Sequence, residues 1–418
     1  MQGVGWPYRT LVAAAIATIA ASCAGPSTRV TLDAVASRYI QLAQDLARHD
    51  PSLVDQWLGG SEPPAFAPRQ PVATLRAATD ALVRELDPMP GRLSGAELNR
   101  ATWLAGQARA LQFAARRLLG ESVPFEEEAR LALGITPAPA DPAAVAQART
   151  QLERELPGAG PLSERLRAFK ARFRVPKAAR NRVMRAALDA CREATFDFFP
   201  MPEDEQVDVA FVEGLPWDAH ARYLGDHHTH IDVNGTAPLD LTRALRLACH
   251  EGYAGHHAQH IWLADELVAR RGWREYGLVP GFGPALVTAE GAADAGTDLA
   301  MPPERRADVY ARMLAPVAGL ERPIEDFARL VRVEQAQAAT EPLIAKLAGE
   351  YLDNRLNAAT TAERLETDAL VASGDAFVPF IEHRRTRILA YTEGRRRVLE
   401  RLDGAGLAGL HGIFVPLR

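Results

Sequence analysis

Cysteine is scarce, with 3 residues in a chain of 418. So few exclude a small scaffold built on disulfides, and Cys249 is read as a small buried residue rather than a bridge or a ligand. Aromatic residues make up 7% of the chain, and β-branched residues are sparse, so an extensive sheet is not expected. Basic charge is not in excess. Lys and Arg number 48 against 53 Asp and Glu, a net charge of −5, and nothing implies a nucleic-acid surface. The apolar run Leu11 to Ala21 is too short to span a bilayer as a mature helix. What the chain has in plenty is alanine, leucine and arginine. With 47% hydrophobic and 24% charged residues, it reads as an ordinary globular chain biased towards helix.

Arg9, the short apolar run and the small residues Ala20-Ala21-Ser22 describe a secretory signal over residues 1–22. Cys23 follows directly, which resembles a bacterial lipoprotein signal in which that cysteine is acylated; Ala20 stands where such signals usually carry leucine. The expectation is an exported cell-envelope lipoprotein, facing the periplasm or the cell surface. Acyl chains at Cys23 would anchor it in the membrane, through a tether over 23–29. An ordinary secreted protein cut near the same place is the alternative. Residues 30–418 are expected to form one large helical domain.

Apolar periodicity predicts helices over 31–49, 75–86, 94–119, 176–199, 241–253, 283–299, 303–320, 323–352 and 377–402. Ser94 with Glu97 reads as a capping box. The Pro/Gly breaks at 136–142 and 157–161 are too short to be linkers between domains. The middle differs. Gln206 to Val212 alternates like a strand and His228 to Val233 does so more weakly, with Asn234-Gly235 as a turn. The fold class is therefore mainly α, a large single helical domain with a small two-stranded β-ribbon beside the site.

Residues 248–260 read ACHEGYAGHHAQH. The zinc-protease pattern H-E-x-x-H places its second histidine four residues after the first, but Ala254 holds that slot here. On a straight helix, His256 would lie about 120° round and about 9 Å along from His250, and His257 about 10.5 Å along. Zinc–nitrogen bonds of about 2.0–2.1 Å require close convergence. The helix must therefore break, and Gly252 and Gly255 are the residues that permit it. One carboxylate from a following helix would complete a His2Glu set. Glu290 and Asp294, four apart, share a face, and Asp294 suits an acceptor that orients a ligand histidine.

His250-Glu-Gly-Tyr-Ala-Gly-His-His257, followed by Ala289-Glu-Gly-Ala292, resembles the bacterial family called domain of unknown function 885, whose motifs are H-E-x-x-P-G-H-H and E-G-[WI]-A. Pro124-Phe-Glu-Glu-Glu-Ala129, Pro216-Trp217, Tyr223-Leu-Gly225 and Arg385-Thr-Arg-Ile-Leu-Ala-Tyr391 with Gly394 extend the resemblance over most of the mature chain. The family is similar to helical gluzincin metallopeptidases. The resemblance implies His250, His256 and Glu290 as zinc ligands and Glu251 as general base. It implies Tyr391 as donor to a developing oxyanion, and Arg385 as a carboxylate binder or support. Ala254, Ala292 and Arg387 depart from the family's proline, bulky residue and first tyrosine. The expected activity is hydrolysis of peptide bonds, carboxypeptidase- or dipeptidase-like, with short peptides as substrates. The alternative is a catalytically idle surface-anchored protein that keeps the fold and a structural metal. Other histidines stay open. His227, His228 and His230 read as a substrate contact or a solvated strand edge, and His260 as a helix-surface residue. Arg384, Arg387 and Arg395 to Arg397 read as a solvated face, with Arg385 alone given a role.

Overall fold

Alanine-rich periodic segments separated by proline and glycine become helices. The protein was analysed as a computed structural model that describes residues 26–59, 68–215 and 217–415. The segment 1–22 and Cys23 lie outside the described residues. The first helix, Pro26–Ala47, begins inside the stretch read as a tether. Expected helices recur at Val72–Leu86 and Gly95–Leu118. Ser94 holds the N-cap position of the latter without a side-chain cap bond, so the capping box does not form. Two long expected helices are divided. The 323–352 segment splits into Ile324–Ala338 and Pro342–Leu352, with Pro342 opening the second. The 377–402 segment splits into Gly374–Arg384 and Leu389–Leu402 about Arg385, whose φ of +49° turns the chain.

The strands are β1 (Val54–Trp57), β2 (Gln206–Val212), β3 (Ala219–Gly225), β4 (His228–Asn234) and β5 (Leu278–Pro280). β1 pairs with β5. The expected two-stranded ribbon is a three-stranded sheet, ordered β2-β4-β3, with β2 parallel and β3 antiparallel to β4. The turn between β3 and β4 is made by Asp226 and His227, both at positive φ. Asn234 ends β4 instead, its side chain accepting from Thr236 N at 3.0 Å.

The largest apolar cluster gathers Phe173, Leu188, Leu241, Leu245, Leu247 and Trp262 behind the sheet and the histidine segment. A second forms among the N-terminal helices around Tyr39, Leu104 and Leu111. A third joins Phe125 to Leu365, Ile381 and Leu389. No helix among the described residues is long and apolar enough to cross a membrane.

One reading is corrected. Cys249 is buried as expected, but it is bridged to Cys191. The helices Arg180–Thr195 and Leu241–Glu251 pack side by side and bring the two Cα atoms to 5.3 Å, within the span a disulfide needs. The bond ties down the residue immediately before His250. With the two cysteines 58 positions apart, loop-closure entropy gives a stabilisation of about 4 kcal/mol. The Cys191→Ala/Cys249→Ala double variant should lose about that much in urea unfolding without reductant. An unchanged midpoint would contradict the bond's role.

Candidate metal centre

Asp240 starts the helix Leu241–Glu251 by accepting from Arg243 N at 2.9 Å. The helix stops at Glu251, and a new one, His256–Trp262, begins with the second histidine. Gly252 and Gly255 make the break. A Cβ on Gly252 would fall 2.3 Å from Ala248 O, and one on Gly255 would fall 1.8 Å from His250 O. No side chain fits between those backbone segments. The expected break is therefore present, and it folds His256 back on His250, with ring centroids 4.9 Å apart at 84°.

Glu290 comes from the helix Gly283–Ala300. This helix crosses Leu389–Leu402 with almost no space between backbones. A Cβ on Gly291 would lie 2.1 Å from Gly394 C, and one on Gly394 would lie 2.4 Å from Val287 O. The crossing sets Glu290 beside the face of the second helix that carries Tyr391.

His250, His256 and Glu290 each offer a ligand atom, all within 4.8 Å of one another. Glu290 Oε2 lies 3.2 Å from His250 Nε2 and 3.5 Å from His256 Nε2. Tetrahedral bonds of about 2.0–2.1 Å place donors about 3.3 Å apart, so the set fits one cation of that size. The far nitrogens are also held. His250 Nδ1 donates to Asp294 Oδ1 at 2.8 Å, as expected for Asp294. His256 Nδ1 donates to Gln259 Oε1 at 3.1 Å, and Gln259 Nε2 donates back to Ala289 O at 3.2 Å. Such partners fix ring orientation and leave Nε2 to bind a metal.

Burial opposes protonation of His250, but Asp294 and then Glu290 outweigh it and push its pKa well up. His256 is raised likewise, burial being overcome by Glu290. Burial would lift the Glu290 carboxyl, yet the hydrogen bonds from both histidines hold it far below the usual carboxylate range. The carboxylates that draw protons to the rings are the field a divalent cation would meet. The donor types and the second carboxylate suit a transition metal such as zinc.

The set lines a cavity of about 1230 Å³. Glu251 lines it too, 5% exposed and with no hydrogen bond or ion pair to another described residue. Tyr391 faces the same space with its ring 6.3 Å from that of His250. Burial and the charge on Glu290 raise its pKa, so the phenol keeps its proton for donation.

Of the two roles the resemblance implies for Arg385, its contacts suit support rather than binding of a substrate carboxylate. Arg385 does not line the cavity. Its guanidinium grips buried Glu128 at 2.7 and 3.0 Å, with Thr386 and Arg117 on the same carboxylate. The positive φ at Arg385 directs its side chain there, and its neighbour Arg384 lines the cavity instead. His257 is fully buried against Thr229 Oγ1 at 2.8 Å and Glu205 at 3.2 Å, away from the triad. His227, His228 and His230 pair with Asp265 and Asp204, Asp208, and Asp232 along the sheet, and none lines the cavity. His260 is 4% exposed rather than on the surface. It stacks one turn beyond His256 at 5.8 Å, and burial together with the His256 charge pushes its pKa down to about 3.

Gln259, Arg384 and the pair His220–Asp55, joined at 3.0 Å in the cavity wall, were not singled out from sequence. Alternation over Ala219, Ala221 and Tyr223 marks β3 and hence the exposed side that carries His220. Gln259 sits three residues after His256, a helical neighbour by spacing alone.

No family model matches the chain, and no curated protein matches it. Among solved structures, the chain is similar to the crystal structure of BsuCP. The two are 11% identical with a TM-score of 0.39, over 92% of this chain and 89% of that one. A likeness that slight carries no argument about fold or function.

Asp294→Asn and Gln259→Ala should each weaken Zn²⁺ or Co²⁺ binding by roughly 10–100-fold, and Glu290→Gln should weaken it further. Competition against a chromogenic chelator measures this. Wild-type affinity in all three variants would rule out the site.

Proposed function

We propose that the protein is a zinc-dependent hydrolase of peptide bonds, carboxypeptidase- or dipeptidase-like, and a member of the domain of unknown function 885 family. The observation that carries the reading is Glu251. It is a carboxylate only 5% exposed, with no hydrogen bond or ion pair to another described residue, next in sequence to His250 and opening on the same cavity as the donor set, where its charge acts on His250, His256 and His220. A structural metal site has no use for such a group. Leaving it unpaired at low exposure is costly, and costs of that kind are commonly met where a group performs chemistry.

A cation held by His250, His256 and Glu290 supplies Lewis acidity that activates water and polarises a carbonyl. The chain's own groups do the rest. Glu251 takes the proton of the attacking water and later gives it to the departing amine. Tyr391 donates its phenolic hydrogen to the oxygen on which negative charge develops. Asp294 and Gln259 hold the two histidine rings in place through their Nδ1 atoms. The cavity is wide enough for a short peptide, since small-molecule sites run from about 300 to 1,000 Å³.

Export to an oxidising compartment, with an anchor at Cys23, belongs to the same proposal. The Cys191–Cys249 bond supports it, because such bonds persist in secreted and periplasmic proteins.

Glu251→Gln should keep its metal while hydrolysis of a peptide library falls by about 10²–10⁴-fold. Tyr391→Phe should lower kcat by about 10²–10³-fold at little change in KM. Rates for Glu251→Gln equal to wild type, or no hydrolysis by the metal-loaded wild type, would favour the idle, surface-anchored alternative.

A further inference from the structure

Most charges in the cavity wall are already engaged. Asp55 is held by His220, Asp294 by His250, and Arg246 by Asp218 at 2.6 Å. Arg395 lies between Asp298 at 3.3 Å and Glu341 at 3.5 Å. Arg384 differs. It lines the cavity half-buried, and no described residue gives it a hydrogen bond or an ion pair. Its guanidinium carbon lies 5.8 Å from the centroid of the Phe380 ring. Tyr391, seven residues on, lines the same cavity.

The surroundings of Arg384 are apolar. Phe377, Phe380, Leu286, Ile344 and Ile388 line the same cavity and belong to, or pack on, one hydrophobic cluster. Phe377 and Phe380 stand with ring centroids 5.3 Å apart. A half-buried guanidinium without a carboxylate of its own, against aromatic and aliphatic side chains, is complementary to a ligand that carries an anion and an apolar group close together. The C-terminal residue of a peptide has that form, with its carboxylate and its side chain on the same carbon.

Resting on the hydrolase reading above, we infer that Arg384 receives the C-terminal carboxylate of the substrate, with the side chain of the terminal residue seated on Phe377, Phe380 and Ile344. The enzyme then removes single apolar or aromatic residues from the C-terminus, and the arginine that sets this specificity is the neighbour of the one held by Glu128. Glu128 acts one step back. By consuming Arg385 it fixes the turn that aims Arg384 at the cavity.

The test is calorimetric binding to the zinc-loaded protein, and it needs no turnover. N-acetylphenylalanine should bind at least tenfold more tightly than N-acetylphenylalaninamide, which lacks the charge. It should also exceed N-acetylglutamic acid α-amide, which presents only a side-chain carboxylate. Arg384→Ala and Arg384→Gln should both abolish the preference while keeping zinc content and the circular dichroism of the wild type; two variants guard against a folding defect in one. Equal binding of acid and amide by the wild type, equal binding of the side-chain carboxylate, or an unchanged preference in both variants would overturn the inference. The two readings separate cleanly. Cleavage of amidated and free peptides alike leaves the hydrolase and removes this subsite. Intact carboxylate binding without any hydrolysis leaves the subsite and removes the hydrolase.

Discussion

The structure depends on one interruption of a helix. His250 and His256 are six positions apart, a separation that a continuous helix turns into divergence. Two glycines remove the side chains that would hold the backbone open, and His250 O then occupies the space where a Cβ on Gly255 would sit. The chain doubles back within four residues, and both rings reach the same carboxylate. Every other feature of the centre supports that fold-back. The Cys191–Cys249 bond fixes the end of the first helix, and Gly296 lets the next helix approach so closely that a Cβ there would meet Ala254 O at 2.2 Å. Gln259 ties the second helix to the backbone beside Glu290.

A buried group of this kind is held together by compensation. Burial alone would neutralise Glu290 and strip protons from the histidines, but their mutual hydrogen bonds reverse both tendencies. At His250 the larger contribution comes from Asp294, whose carboxylate meets Nδ1 at 2.8 Å. The result is a cluster whose electrostatics favour a doubly charged ion at the point where the Nε2 atoms and Oε2 converge. One turn further, His260 shows the opposite outcome. It has the same burial without a carboxylate bonded to it, and its ring stays neutral, with Nδ1 lacking a partner.

Much of this was legible in the residue order, for reasons that can be named. The glycines and the excess spacing announced the break. The i, i+4 pair Glu290 and Asp294 announced one helix face, and both carboxylates face the histidines, Glu290 near the two Nε2 atoms and Asp294 at His250 Nδ1. The helical fold followed from composition and periodicity. Three features were not legible. A disulfide over 58 residues depends on which helices pack together. β3 is as long as β2 and β4, but two of its three inward positions are alanine, a weak strand signal, so His220 was passed over. That Arg384 rather than Arg385 lines the cavity was hidden because a long apolar-periodic segment gives no sign that the chain turns through positive φ at a non-glycine residue. Only the buried Glu128, 257 positions away, explains where Arg385 goes.

Anomalous diffraction at the zinc edge from crystals grown with equimolar Zn²⁺ tests the central claim most directly. The account predicts one strong peak bonded to His250 Nε2, His256 Nε2 and Glu290 Oε2 at about 2.0–2.2 Å, open towards Glu251 and the cavity. A peak coordinated by His257 or by the strand histidines, or none at the triad with its rings turned apart, would contradict it.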